Sequence, residues 1–351
     1  MIEGISDAGL SALIGLCGGI ALGLAARLGR FCTLGAIEDY LYQGNDQRMR
    51  MWLLAIGVAS AATFLLIATG HLTPGDTVYF QAPFSPLASI IGGLLFGYGM
   101  SLAGTCGFGA LARTGGGDLR AFVIVLVMGI SSYIMLSGPL GALRVGLIEA
   151  TALETSLRSY PDALARVIPL PSTAIGLVLS GGLLIWALWP RAFRANRSAL
   201  AWGGVVGLTI AAGWAGTQWI AREGFGYQDV HSFTFTAPIG ESLLFLMTSS
   251  GGGLSFAVGS IAGVLAGAFG GSLIKGHFRW EACEDPRELK RQCLGAICMG
   301  FGAVLALGCT IGQGISAFSL FALSAPITFL AIFAGAALGL RQLITGFVTS
   351  S

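Results

Sequence analysis

Apolar residues gather into long runs separated by short polar segments along the whole chain. The runs lie near residues 10–26, 51–69, 86–112, 121–139, 172–189, 199–218, 252–273, 293–315 and 321–340. Each approaches the roughly 20 residues that a helix needs to cross a hydrocarbon core. The pattern predicts an all-α polytopic membrane protein with about nine transmembrane helices. The third and eighth runs are long and rich in glycine, so each predicts a helix broken at membrane depth. Irregular backbone is tolerated there only where it lines a cavity or is buried in protein.

Composition strengthens this reading. Hydrophobic residues make up 54% of the 351 residues and charged residues only 10%, against about 25% charged in soluble proteins. The chain has too few polar groups to cover a soluble surface. Its 55 glycines suit close helix approach in a bilayer. A net charge of +2 gives no basis for a nucleic-acid partner. The segment before the first run has no basic region, so no cleavable signal peptide is expected and the first run is retained. None of the seven cysteines forms a C-x-x-C pair. That spacing predicts free thiols, with neither a metal centre nor a redox dithiol. No cofactor and no catalytic residue are expected.

Basic residues orient the chain. Fifteen of the 19 lysines and arginines fall after the odd-numbered runs, and four (Arg144, Arg158, Arg166 and Arg222) fall on the other side. The positive-inside rule puts the first side in the cytoplasm. The N-terminus is then expected in the periplasm and the C-terminus in the cytoplasm.

An internal repeat is also visible. Gly97-Tyr98-Gly99 followed by Cys106-Gly107-Phe108-Gly109 matches Gly300-Phe301-Gly302 followed by Cys309-Thr310-Ile311-Gly312 at an offset of 203. Phe31-Cys32-Thr33-Leu34 falls opposite Phe233-Thr234-Phe235-Thr236 at an offset of 202, with Asp39 and Glu241 following. The chain thus reads as one transmembrane domain over 1–351. A first repeat spans 10–140, a linking crossing with its loops 141–198, and a second repeat 199–341. A single linking crossing inverts the second half, giving a 4+1+4 inverted repeat. Such repeats mark transporters, with the substrate site near the midplane where broken helices meet.

Cys106 and Cys309 occupy equivalent places in the two halves, and Cys32 follows the first crossing. Membrane cysteines are often plain packing residues, but here two of them sit in repeat-matched, glycine-rich breaks. An anion entering a low-dielectric path loses its hydration. Helix N-termini and weak thiol donors can replace that hydration. Weak donors also release what they bind, which conduction requires. Thr33, Thr105, Thr310 and Gln313 add hydroxyl and amide donors, or else serve as local helix caps. Gly104, Gly107 and Gly308 supply the breaks. Glu38, Asp39 and Glu241 are candidates for proton coupling or for interfacial caps. His71, His231 and His277 fall in predicted loops, where a solvated role is expected. The turn Arg113-Thr114-Gly115-Gly116-Gly117-Asp118-Leu119-Arg120 reads either as an anion exit or docking loop, or as an ordinary basic loop with permissive glycines.

Phe31-Cys32-Thr33-Leu34-Gly35-Ala36, Gly104-Thr105-Cys106-Gly107, the Arg113–Arg120 turn and Leu307-Gly308-Cys309-Thr310-Ile311-Gly312-Gln313-Gly314 together resemble the YeeE/YedE family. The resemblance runs from about residue 10 to residue 341. It implies a bacterial inner-membrane protein of hourglass-like form that takes up sulfur compounds, with thiosulfate as the leading substrate. It also implies a path marked by Cys32, Cys106 and Cys309, along which thiosulfate passes by S–H···S hydrogen bonds. A small cytoplasmic sulfurtransferase is the implied partner beside the lipid bilayer. Two alternatives stay open at this point. One is a transporter of another sulfur or selenium species, and the other is a membrane thiol–disulfide oxidoreductase.

Overall fold

The computed structural model describes residues 6–153, 155, 157–224, 229–249, 253–282 and 285–346. Cys283 lies outside the described residues; the other six cysteines are free thiols. Among the described residues there is no β-strand, only three isolated bridges.

The first half contains α1 (Asp7–Leu28), α2 (Thr33–Tyr42), α3 (Gln47–Ala68), the short α4 (Val78–Gln81), α5 (Pro86–Ala103), α6 (Gly107–Gly115) and α7 (Leu119–Leu136). The middle contains α8 (Gly141–Thr151), α9 (Tyr160–Ala165), α10 (Ser172–Leu188) and α11 (Arg191–Ala195). The second half contains α12 (Arg197–Glu223), α13 (Thr236–Thr248), α14 (Phe256–Ile274), α15 (Pro286–Leu305) and α16 (Ser324–Thr345). Seven helical segments are long and apolar enough to cross a membrane, and α10 is a shorter apolar helix. The chain is an all-α, multi-pass membrane protein. Every run expected from the sequence overlaps a helix, but the run at 293–315 falls on α15, which is not among the seven spans. At 1.5 Å per residue, the 22 residues of α1 reach about 33 Å, enough for the hydrocarbon thickness.

Local signals fix where the helices start. Ser85 accepts from Ala88 N–H at 3.1 Å, and Pro86 occupies the first turn of α5. Asn196 does the same for α12 through Ala199 N–H, at 3.1 Å. Asp285 and Pro286 start α15 in polar sequence. That helix therefore begins seven residues before the apolar run that announced it. Prolines fit here because the first helical N–H groups have no intrahelical acceptor.

The helices pack through small residues. On α1, Gly15, Gly19 and Gly23 lie against the backbone of α14, and Gly259, Gly263 and Gly267 of α14 lie against α1. A Cβ at Gly15 would stand 2.9 Å from Ser260 N. In lipid, such backbone approach supplies the dispersion contact that a hydrophobic effect between helices cannot. The major contacts pair α1 with α14 and α3 with α12, α5 with α16 and α7 with α15, and α5 directly with α15. Smaller contacts pair α7 with α13 and α2 with α16. Leucine and isoleucine side chains such as Leu65, Ile130, Leu246, Leu330 and Leu338 face outward and are more than half exposed. A bilayer solvates such side chains without cost.

Candidate functional site

Four helical segments start inside the protein: α2, α6, α13 and the segment 310–319 that follows Cys309. Each departs from a non-helical residue. Cys32 (φ −147°, ψ 127°) precedes α2, Cys106 (φ −85°, ψ 171°) precedes α6, and Phe235 (φ −128°, ψ −27°) precedes α13. Cys309 precedes a helical segment that passes through a π-turn at Gly312–Ala317. Two of these starts are made by breaking a long helix. Gly104 ends α5 in the left-handed conformation (φ 71°), which costs glycine nothing. The break after α15 uses Leu307 (φ 57°) and Gly308 (φ 153°).

Three of these starts converge. Phe108 and Phe235 stack with ring centroids 5.0 Å apart, which joins α6 to α13. Thr234 Oγ1 lies 3.6 Å from the Cys309 thiol, which joins the α13 entry to the second break. Tyr79 donates to Gly312 O at 2.9 Å, and Ser316 donates to Phe233 O at 2.7 Å. Cys32 shares a cavity wall with Thr105, the residue before Cys106. Cys106 and Cys309 are buried, and Cys32 is partly exposed. Phe31, beside Cys32, stacks on Trp52 of α3 at 4.6 Å. These contacts join the starts of α6, α13 and the segment after Cys309.

The donor inventory separates the sequence candidates. Cys106 Sγ accepts Gly109 N–H at 3.3 Å, so the thiol proton remains available. Thr105 is turned to Cys106 O at 3.3 Å. Gln313 gives its amide to Ala306 O (2.8 Å) and Leu307 O (3.2 Å) and accepts from Ser324. It braces the break by satisfying carbonyls that the interrupted helix leaves open. Its amide is thus engaged, not free for an anion. Thr33 and Thr310 are buried with hydroxyls that have no partner. Thr310 sits beside Cys106 without meeting hydrogen-bond geometry to it. Thr236, at the start of α13, is the residue that the sequence reading missed. It too is buried with an unpartnered hydroxyl. An unsatisfied buried hydroxyl costs about 1–3 kcal/mol; these three lie at helix starts, whereas the unpartnered Thr63 and Thr328 lie within helices.

Two of the three acids have protein partners. Asp39 pairs with Arg48 at 3.2 Å, and Glu241 accepts from Ser255 at 2.6 Å. Glu38 is exposed at the edge of a cavity. The expectation of a solvated loop fails for His231, whose ring packs edge-on against Phe256 at 5.0 Å. The cause is that residues 229–235 run inward to reach α13 and do not form a surface loop.

Cavities flank the convergence. On the side that holds Arg30 and Arg113, a cavity of about 380 Å³ has Cys32, Thr105 and Gly109 among its walls. On the opposite side, a space of about 30 Å³ lies between Tyr79, Ser89, Arg158 and Leu307. Arg113, at the start of the Arg113–Arg120 turn, lines the larger cavity. Asp118 caps α7 through Arg120 N–H (3.0 Å) and Ala121 N–H (3.2 Å). Gly117 and Leu119 pair with Glu281 of the loop after α14, with N···O distances of 3.1 and 3.0 Å.

Broken helices with inward-facing N-termini, set within a multi-pass helical protein, define a membrane transporter of small solutes. The family described as Sulphur transport matches residues 28–338, and the chain belongs to that family. One relative is the Thiosulfate transporter TsuA of Escherichia coli, 28% identical over 321 residues, covering 86% of each chain. Another is the Thiosulfate transporter TsuA of Spirochaeta thermophila, 24% identical over 320 residues, covering 88% of this chain and 92% of the relative.

Proposed function

We propose that this protein carries thiosulfate across the bacterial inner membrane into the cytoplasm. The cargo passes the region where Cys32, Cys106 and Cys309 meet the N-termini of α2, α6, α13 and the segment after Cys309. The observation that carries this reading is the joining of the α6, α13 and post-Cys309 starts, with the unpartnered hydroxyls of Thr236 and Thr310 there and of Thr33 at the start of α2. In this reading the N-termini present uncommitted N–H groups and the positive ends of their dipoles to one place. A divalent anion stripped of water would find its replacement donors there. The thiols and hydroxyls are uncharged, so they bind without holding the anion too tightly to leave.

An inverted repeat accounts for the arrangement. The packing of α1 on α14 is matched by that of α12 on α3, and the packing of α5 on α16 by that of α15 on α7. The starts of α2 and α13 differ by 203 residues, the same offset as Cys106 and Cys309. With that register Thr33 answers to Thr236, and Cys32 answers to Phe235. In this reading α10 is the linking crossing, and the arginine-rich side is cytoplasmic. The larger cavity then opens inward.

Reconstitution tests the reading. Purified protein in liposomes should accumulate labelled thiosulfate. Cys106→Ala and Cys309→Ala should each lower the initial rate about tenfold, the value of one charge-assisted hydrogen bond. Normal rates from both well-folded variants would remove the thiols from the path.

A further inference from the structure

The large cavity carries more positive charge than a passage wall requires. Five cationic side chains (Arg27, Arg30, Arg48, Arg113 and Lys275) line it with one carboxylate, Glu38. Arg48 is neutralised by Asp39 at 3.2 Å. The other four cations form no ion pair among the described residues. Arg27 is held by a neutral acceptor, Ser272 Oγ, at 2.7 Å. Lys275 gives its ammonium to Arg27 O and Leu28 O at 2.9 and 3.1 Å, capping the C-terminal end of α1. Arg30 and Arg113 are exposed. A seat for this charge is built into the fold. A Cβ at Gly116 would collide with the Arg27 guanidinium, so the glycine turn is open where that guanidinium lies. Asp118 and Glu281 partly offset Arg27, and the remaining like charges repel one another, a repulsion that an anion relieves.

We propose that this vestibule is a second anion site, which takes divalent oxyanions of the sulfate class from the arginine-rich side. Its volume of about 380 Å³ holds a tetrahedral dianion with several waters, each taking about 30 Å³. The guanidinium groups match oxyanion geometry through paired N–H donors. Because the vestibule is wet, binding is weak and falls with ionic strength. Cys32 and Thr105 lie in the same cavity wall. A dianion held there competes with cargo leaving the thiol region, so sulfate on the arginine-rich side slows thiosulfate transport. The site does not depend on the deeper region conducting thiosulfate.

The test is equilibrium binding of labelled sulfate to the purified full-length protein at low ionic strength. Three variants are compared with the unsubstituted chain: Arg30→Gln with Arg113→Gln, Arg30→Lys with Arg113→Lys, and Cys106→Ala. The glutamine pair should weaken sulfate binding about tenfold, as loss of charge-assisted hydrogen bonds does. The lysine pair should retain most of the affinity, and Cys106→Ala should leave it unchanged. Both substituted positions are exposed, and a thermal melt of each variant checks folding. Unchanged affinity in a folded glutamine pair overturns the site. So does sulfate binding that is lost with Cys106→Ala, because the anion would then sit at the thiols. Thiosulfate uptake is measured in parallel. Absent uptake with arginine-dependent sulfate binding rejects the transport reading and keeps the vestibule, and the reverse pattern rejects the vestibule alone.

Discussion

Replacing Thr310 by valine should stabilise the empty protein while weakening its hold on thiosulfate. Thr310 is fully buried at the start of the segment after Cys309, and its hydroxyl has no partner. Burial of an unsatisfied hydroxyl costs about 1–3 kcal/mol, and valine removes that cost while nearly keeping the shape. A gain of about 1 kcal/mol should raise Tm by roughly 2 °C in a chain of this size. With thiosulfate bound, the hydroxyl donates to the anion and is worth about 1.5 kcal/mol, which corresponds to about a tenfold change in Kd. The two effects have opposite signs, which an ordinary packing residue does not produce. Thermal unfolding in detergent, with and without thiosulfate, reads both from one preparation. The valine variant should start higher in Tm and gain less from added ligand. A valine variant that melts lower, or that gains as much from thiosulfate as the unsubstituted protein, would refute the claim that this hydroxyl waits for an anion.

The other predictions are independent of one another. Thr236→Val should repeat the Thr310 behaviour, whereas Thr105→Val should not, because Thr105 already bonds to Cys106 O; the same melts decide. Cys106→Ser replaces a soft, weak donor by a hard one. It should lower the initial rate of thiosulfate uptake in liposomes without abolishing transport. Asp118→Ala removes the acceptor for two N–H groups at the start of α7 and should cost about 1 kcal/mol, read as a lower Tm. Gly259→Leu places a side chain on the backbone of α1, with Cβ 2.7 Å from the Ala12 carbonyl carbon. It should sharply reduce the folded yield on size-exclusion chromatography.

The apolar runs were legible because length and hydropathy suffice to write a membrane crossing. The start of α15 was not, since Arg287, Glu288, Lys290 and Arg291 interrupt the run although they belong to the same helix. The two breaks at Cys106 and Cys309 were legible from glycine spacing alone. The short helices α2 and α13 were hidden, because ten to thirteen residues with one or two acids resemble an interfacial segment as much as a half-helix. That ambiguity concealed Thr236 as a site candidate. Gln313 looked like a ligand donor because its sequence gives no sign of the carbonyls left open at Ala306 and Leu307. The seat of Arg27 beneath Gly116 depends on a contact between α1 and a turn nearly 90 residues later, which no local pattern encodes.

A density map of the purified protein with bound thiosulfate tests the central claim most directly. The account predicts an anion among Cys106, Cys309 and the hydroxyls of Thr310 and Thr236, facing the four helix N-termini. A transport-competent preparation whose bound thiosulfate lies away from these groups would contradict it.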